Sequence, residues 1–140
     1  MSNQPQKKDI AKVPEPTLRR LPWYLSNVKL LKQKGEQYVS STQISKEINV
    51  DASQIAKDLS YVNISGRTRV GYEVDALIEV LEDFLGFTDM HKAFLFGVGS
   101  LGGALLRDSG LKHFGLEIVA AFDVNPNLIG THINGIPIFH

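Results

Sequence analysis

The sequence predicts an α+β unit followed by the opening part of an α/β unit, and three observations carry this prediction. Amphipathic helical patterns fill most of residues 17–60, and short β-prone runs follow up to residue 74. From Lys92 the pattern changes to continuous apolar runs, typical of buried parallel strands. Residues 1–72 carry a net charge of +6, whereas residues 73–140 carry −6. A basic part joined to an acidic part suggests nucleic-acid binding by the first part only.

Composition narrows the class of protein. The 140 residues are 43% hydrophobic and 21% charged, which is ordinary for a globular chain. The absence of cysteine excludes thiolate catalysis and disulfides, and it fits a cytoplasmic protein. No signal peptide is visible, and the longest apolar stretch, residues 93–106, is too short to span a bilayer, so we expect no membrane association.

The N-terminal elements follow in order. Residues 1–16 contain three prolines and little periodicity, so we expect a flexible arm. An amphipathic helix follows, in which Pro22 is tolerable only at the start of the regular helix, and Gly35 is a plausible end. Trp23 and Tyr24 of this helix are expected in the hydrophobic core of the protein. The apolar positions recur at spacings of three and four: Leu18, Leu21, Leu25, Val28 and Leu31.

Two short helices come next, with a break of about three residues between them, as in a helix-turn-helix. Ser40 followed by Gln43 is a capping-box pattern, and Asp51 followed by Gln54 repeats it. The inward positions of these helices are expected to be Ile44, Ile48, Ile55 and Leu59.

Residues 63–74 are interpreted as a two-stranded hairpin punctuated by Gly66 and Gly71. Asp75 is expected to cap a last helix that ends at Gly86. Three helices and a hairpin in this order predict a winged helix-turn-helix domain over residues 17–86.

The C-terminal part, residues 91–140, carries a glycine motif between a strand and a helix. Residues 93–97 are interpreted as a buried strand, residues 101–111 as a helix and residues 117–123 as a second strand, with a short further strand at 136–139. This is the first βαβ part of a Rossmann-like domain. In Gly97-x-Gly99-x-x-Gly102 the glycines permit a tight turn, close approach of a pyrophosphate and close packing of the helix, whose N-terminus would hold the anion. The predicted pyrophosphate residues are Gly97, Val98, Gly99, Ser100, Leu101 and Gly102.

Asp123 lies 21 residues after Gly102, at the end of the second strand. A carboxylate there would accept hydrogen bonds from an adenosine ribose and oppose a 2′-phosphate, so NAD(H) is favoured over NADP(H). The alternative is a tight turn beside a surface aspartate.

The outer face of the second short helix is the predicted DNA-reading surface. Gln54 could read adenine and Lys57 guanine or phosphate, while Arg67 and Arg69 at the hairpin tip could reach phosphates or the minor groove. The full predicted set is Arg20, Ser53, Gln54, Lys57, Ser60, Tyr61, Arg67 and Arg69. The alternative is a helical protein-interaction domain whose exposed residues are solvated. The four histidines show no metal-ligand spacing, and no metal site is predicted.

From Val13 onward the chain resembles the Rex family of redox-sensing transcriptional repressors. The resemblance rests on VPEPTLRRLPWYL, SSTQIS, KDLSY, GYEV, FGVGSLGGALL and AFDVNPNLIGTHINGIPI. It implies a homodimer with a winged helix and a Rossmann domain, in which NADH releases the protein from double-stranded operator DNA and NAD⁺ permits binding. It further implies that residues 97–102 hold the pyrophosphate and Asp123 the ribose, and it places Lys57 and Ser60 on the DNA-reading helix.

Four features depart from that family. Ala56 stands where a basic residue is usual, and Thr68-Arg69 stand where arginine then glycine are usual. Asp108 stands where the family has a tyrosine of the nicotinamide-sensing region. The family's Rossmann domain also continues past this point, so we expect a C-terminally truncated form.

The sequence is compatible with three functions. The first is an NAD(H)-responsive repressor, which is not an enzyme. The second is an NAD-dependent oxidoreductase with a helical extension, although residues 91–140 show no acid–base set beside the glycine turn. The third is a DNA-binding regulator that has lost nucleotide sensing.

Overall fold

The computed structural model describes residues 12–140, which form two compact units that divide between Leu85 and Gly86. Of the predicted flexible arm, residues 1–11 lie outside the described residues, and Glu15 and Pro16 already belong to the first helix. Within residues 12–140, no helix has both the length and the apolarity that a membrane span requires.

Helix α1 spans Glu15–Gln33, so the prediction that the regular helix begins at Pro22 is wrong. The proline of the first turn is Pro16, where the missing N–H costs nothing because it would have no partner. Pro22 lies inside α1 on its exposed side. Trp23 is also on that side, with 58% of its surface exposed, whereas Tyr24 is fully buried.

The next two helices form the predicted helix-turn-helix. Helix α2 spans Ser41–Ile48 and helix α3 spans Ala52–Ser60. The capping box is confirmed, since the Gln43 N–H donates to Ser40 Oγ over 3.1 Å and the Ser40 N–H donates to Gln43 Oε1 over 3.4 Å. Asp51 is the N-cap of α3, but among the described residues its side chain makes no capping hydrogen bond. The inward positions Ile44, Ile55 and Leu59 are fully buried.

The predicted two-stranded hairpin over residues 63–74 is wrong in its pairing. Among the described residues, a single bridge, between Arg67 and Gly71, closes the loop. Strand β2, Tyr72–Glu73, pairs instead with strand β1, Tyr38–Val39, in antiparallel register. Gly71 makes this approach possible, because a Cβ there would lie 2.4 Å from the carbonyl oxygen of Val39.

Helix α4 spans Val74–Phe84 and completes the first unit. Its N-cap position is Glu73, so the prediction that Asp75 caps it is wrong. Asp75 lies in the first turn, where a negative charge is favourable, and its carboxylate is 2.8 Å from the Lys32 ammonium of α1.

Helices α1 and α3 are joined through the carboxylate of Asp58, which is fully buried. It accepts hydrogen bonds from Thr17 Oγ1 at 2.8 Å, from Arg20 Nε and Nη2 at 2.6 and 2.9 Å, and from Tyr24 Oη at 2.6 Å, all on α1. A further bond comes from Gln54 Nε2 of α3 at 2.8 Å. These donors satisfy the charge that burial would otherwise leave uncompensated.

The second unit is a four-stranded sheet in the order β3-β4-β6-β5. Strands β3 (His91–Phe96), β4 (Leu116–Phe122) and β6 (Ile136–Phe139) are parallel, while β5 (His132–Ile133) is antiparallel to β6. Helix α5 spans Ser100–Arg107, so it is shorter than the predicted helix over 101–111. A 3₁₀ turn, Ser109–Phe114, takes the chain from Asp108 back to the sheet.

Only one face of this sheet is covered within the described residues of the unit. Leu95 and Ile138 pack with Leu106 of α5 in the core. Phe94 and Phe96 project from the other face and are 63% and 75% exposed, so the prediction of a fully buried strand at 93–97 is wrong. Their rings contact that of Phe122, with centroid distances of 5.9 and 4.9 Å.

The Asp58 contacts predict a defined loss of stability in acid. Burial opposes ionisation, but the hydrogen bonds from Arg20, Tyr24, Thr17 and Gln54 outweigh it and bring the pKa of Asp58 down to about 2. Because the folded pKa is below the ordinary 3.8, the ionised carboxylate stabilises the fold above that pH, and this contribution is lost as the pH falls towards 2.

We expect the free energy of unfolding of the N-terminal unit to lose about 2 kcal/mol from this group between pH 5 and pH 2. Urea unfolding followed by fluorescence reports this unit alone, since Trp23 and all four tyrosines lie within it. Carbon-13 NMR of the Asp58 carboxyl, assigned with Asp58→Asn, should show a midpoint near pH 2. A midpoint near 3.8 would contradict the prediction.

Candidate functional site

The glycine motif forms a turn from the end of β3 into the start of α5. Gly97 has φ of +92°, a backbone conformation that favours glycine, and its N–H donates to the Phe122 carbonyl of β4 over 2.8 Å. Gly99 is the N-cap of α5, so the first N–H groups of that helix point out of the turn. The turn therefore has the geometry that an anion-binding strand–helix junction requires.

Gly102 and Gly99 differ in what a side chain at each position would contact. A Cβ at Gly102 would lie 1.9 Å from the carbonyl oxygen of Gly97, so the packing of α5 against the turn requires glycine there. At Gly99 no heavy atom among the described residues lies within 4 Å of a Cβ position, and its φ is −72°. The fold does not require glycine at 99, and the open space beside it is where a pyrophosphate would approach the backbone.

The remaining turn residues divide into exposed and buried positions. Ser100 and Leu101 begin α5 and are exposed, so their backbone N–H groups are accessible to an anion. Val98 is buried and belongs to the core beside Leu106. Its N–H donates to Asp123 Oδ2 over 2.6 Å, so this amide is already engaged.

Asp123 follows β4 and lies directly beside the turn. Its second carboxylate oxygen accepts the Asn125 N–H over 2.7 Å. The backbone hydrogen bond from Val98, followed by that from Asn125, lowers the pKa of Asp123 below its usual value. The carboxylate is therefore ionised at neutral pH, and each oxygen retains capacity to accept a ribose hydroxyl.

A cavity of about 330 Å³ opens next to Asp123 at the carboxyl ends of the parallel strands. In doubly wound sheets, ligands bind at this end. Aromatic and aliphatic side chains beside a carboxylate suit a purine next to a ribose. The sequence gives no signal for most of this lining, because the apolar runs read as core. The cavity is lined by Phe96, Gly97, Phe122, Asp123, Val124 and His140.

These features fit the adenosine and pyrophosphate of a dinucleotide. The open space at Gly99 would accommodate a pyrophosphate facing the α5 amides, and Asp123 lies where it could accept hydrogen bonds from a ribose. Asp108, at the far end of α5, is exposed and its carboxylate accepts the Gly110 N–H over 2.8 Å.

Helix α3 presents a polar outer face opposite its buried side. Ser53, Lys57 and Ser60 are exposed, whereas Gln54 and Tyr61 are half-buried. The Ser60 hydroxyl donates to the Lys57 carbonyl over 2.5 Å, which leaves its oxygen able to accept a hydrogen bond but directs its proton inward. Two residues of the predicted set, Gln54 and Arg20, bond to Asp58 within the protein.

The loop between α3 and β2, which we call the wing (residues 64–71), carries two exposed arginines. The Arg67 N–H donates to the Gly71 carbonyl over 2.8 Å, and the Gly71 N–H donates to the Arg67 carbonyl over 2.9 Å. Arg69 has φ of +65°, a strained conformation for a side chain with a Cβ. A cleft of about 360 Å³ separates the wing from Ser40 and Ser41 at the start of α2, two residues outside the predicted set.

No group of three histidine, aspartate or glutamate side chains within residues 12–140 is placed to hold a metal ion.

Two family models match the chain. A model described as "Putative DNA-binding protein N-terminus" matches residues 12–60, and one described as "CoA binding domain" matches residues 88–140. Among curated proteins, the redox-sensing transcriptional repressor Rex of Bacteroides fragilis is 90% identical over 140 residues, which cover all of this chain and 64% of that protein. The protein of the same name from Bacillus subtilis is 38% identical over 133 residues, which cover 95% of this chain and 62% of that one.

Solved structures agree with these matches. The crystal structure of RSP in complex with β-NAD⁺ and operator DNA superimposes with a TM-score of 0.84 at 30% identity, covering 91% of this chain and 58% of that one. RSP in complex with β-NADH gives a TM-score of 0.80 at 30% identity, covering 91% of this chain and 59% of RSP. RSP is a Rex-family repressor. The chain thus spans about three fifths of the length of the relatives it matches.

Two glycine substitutions should distinguish an effect on the stability of the turn from an effect on ligand binding. Gly102→Ala forces a Cβ onto a backbone oxygen, so we expect it to destabilise the C-terminal unit by about 1–3 kcal/mol. Gly99→Ala has room, so it should leave stability within ~0.5 kcal/mol. It should nevertheless weaken NADH binding at least tenfold, because its methyl group fills the space beside the helix amides.

Hydrogen exchange of the β3 and β4 amides measures the stability of this unit, and NADH fluorescence measures binding. Equal effects of the two substitutions on both quantities would contradict the assignment of these glycines.

Proposed function

The chain belongs to the Rex family, and on that premise we propose that it is a redox-sensing transcriptional repressor. Residues 17–86 bind double-stranded operator DNA as a winged helix, and residues 91–140 bind NAD(H) as a regulatory ligand. NADH releases the protein from DNA, whereas NAD⁺ permits binding. The role is regulatory and not enzymatic.

One observation carries this proposal: a strand–helix turn with space for a pyrophosphate lies beside an ionised Asp123, in the same chain as a helix-turn-helix whose outer face is polar. The relatives add independent support, since RSP has been crystallised with β-NADH and with β-NAD⁺ and operator DNA.

The nucleotide is NAD(H) rather than NADP(H). The Asp123 carboxylate, whose pKa is held low first by the Val98 N–H, accepts the ribose hydroxyls and repels a 2′-phosphate. The exposed amides of Gly99, Ser100 and Leu101 at the start of α5 hold the pyrophosphate, and Gly97 and Gly102 shape the turn.

The DNA contacts come from α3 and from the wing. Lys57 is the exposed cation of α3, and Arg67 and Arg69 are the cations of the wing. Ser53, Gln54, Ser60 and Tyr61 complete the reading face. The protein acts in the cytoplasm. It binds DNA as a homodimer, because two recognition helices must meet two half-sites about one helical turn apart.

A second candidate is a DNA-binding regulator without nucleotide sensing. Asp108 favours it, because a short acidic side chain that bonds to Gly110 stands where the resemblance implies a sensing tyrosine. NADH responsiveness is the property that separates the two candidates.

The test begins with selection of a duplex by the wild-type chain from a random-sequence pool. We call the enriched duplex the selected operator. Fluorescence anisotropy then measures its binding to the chain with NADH, NAD⁺, NADPH or no nucleotide.

We expect NADH to weaken binding at least tenfold, and NADPH to act only at much higher concentration because of Asp123. Binding that is indifferent to saturating NADH supports the second candidate. Failure to enrich any duplex, together with oxidation of NADH, would point to an oxidoreductase and overturn the proposal.

A further inference from the structure

We propose that Asp58 positions the recognition helix α3 and that Arg20 acts through Asp58 rather than on DNA. This inference rests on the proposed function, because it concerns how the DNA-reading face is held. It changes the role of Arg20, which the sequence places among the DNA contacts, and it adds Asp58 and Tyr24, which the sequence does not indicate.

The contacts of Arg20 are directed inward. Its Nε and Nη2 atoms form a bidentate pair with the two oxygens of Asp58, at 2.6 and 2.9 Å, and its side chain is only 22% exposed. Releasing it to reach a phosphate would leave a buried carboxylate without its counter-charge. Arg19, its neighbour, is instead exposed and pairs with Glu15 on the surface, with side-chain exposures of 77% and 73%.

Three residues of α1 hold one residue of α3. Thr17, Arg20 and Tyr24 follow spacings of three and four, so they lie on one face of α1, and all donate to Asp58. Bonds to both oxygens from separate turns of α1 fix the distance of α3 from α1 and its rotation about its own axis.

The rotation of α3 about its own axis determines where its exposed side chains lie relative to the bases of DNA. Asp58 lies on the buried side of α3, next to the exposed Lys57. A rotation of α3 by about 20° would move a side chain that is ~6 Å from the helix axis by about 2 Å. That displacement is enough to break a hydrogen bond to a base edge, whereas an ionic contact with a phosphate tolerates it better.

Asp58 also orients Gln54, which lies one turn earlier on α3. An ionised carboxylate can only accept hydrogen bonds, so the Gln54 amide must turn its Nε2 group toward Asp58, as the 2.8 Å contact requires. Its Oε1 atom is then the acceptor presented to DNA. This arrangement favours a base with an exocyclic amine in the major groove, which adenine and cytosine have.

Substitution of Arg20 by lysine tests the inference, because it keeps the charge and removes the bidentate fork. We expect Arg20→Lys to weaken binding to the selected operator about tenfold, while binding to a shuffled duplex changes less than twofold. The dependence of the affinity on salt should keep its wild-type slope. Arg19→Lys is the matched control on the same helix and should leave both affinities unchanged.

Lys57→Ala is the comparator for a residue that contacts DNA directly, and its loss of a phosphate contact would lower the salt slope by about one. If Arg20 contacts phosphate, Arg20→Lys will be near wild type and Arg20→Ala will weaken both duplexes and lower the slope as Lys57→Ala does. That result would overturn the inference.

Tyr24→Phe provides a second variant, since it removes one donor and keeps the ring in the core. It should reduce discrimination between the selected and shuffled duplexes while circular dichroism and the fluorescence-monitored unfolding transition show a folded unit. Unchanged discrimination in a folded Tyr24→Phe would also contradict the inference. If the wild-type chain enriches no duplex, the proposed function itself has failed and the positioning role fails with it.

Discussion

The N-terminal unit depends on the ion pair and the hydrogen bonds that the fully buried carboxylate of Asp58 forms. Removing a carboxylate from water is costly, and an isolated buried charge would not be tolerated. Arg20 supplies the opposite charge, and Thr17, Tyr24 and Gln54 satisfy the remaining acceptor positions. A buried ion pair of this kind is weak evidence for added stability, because apolar residues of similar volume often serve as well. Its directional bonds do, however, restrict how α3 can lie against α1, and that restriction is what the proposed DNA reading requires.

The C-terminal unit depends on a contact of a different kind, between two stretches of backbone. Gly102 lets α5 approach Gly97 so closely that no side chain fits, and this approach aims the first amides of α5 at the space beside Gly99. Asp123 then ties the end of β4 to the same turn through Val98. The proposed nucleotide site thus follows from the packing of three elements. Of the exposed phenylalanines on the opposite face of the sheet, Phe96 lines the cavity beside Asp123, whereas Phe94 does not.

Local patterns were predictable from the sequence, and contacts between distant residues were not. The Ser40 capping box involves neighbours within one turn, so a short motif determines it. The glycine motif is also local, and Gly102 packs as its spacing predicts. Asp58 lies 34 to 41 residues from its partners on α1, so nothing in its own surroundings distinguishes it from a solvated aspartate. Phe94 shows a further limit, because an apolar run identifies a strand but does not say which of its faces other residues cover. Pro22 shows that tertiary packing can carry a helix through a residue that local rules place at its start.

The two units form one regulator only if occupancy of the glycine turn and occupancy of the reading face oppose each other. Thermodynamic linkage makes this opposition reciprocal, so DNA must weaken NADH binding by the same factor by which NADH weakens DNA binding. Titration of NADH fluorescence with the chain alone and with the chain saturated by the selected operator measures that factor directly. We expect weaker NADH binding to the DNA-bound chain, by a factor equal to the one found from DNA release. Equal NADH affinities in the two titrations would contradict it.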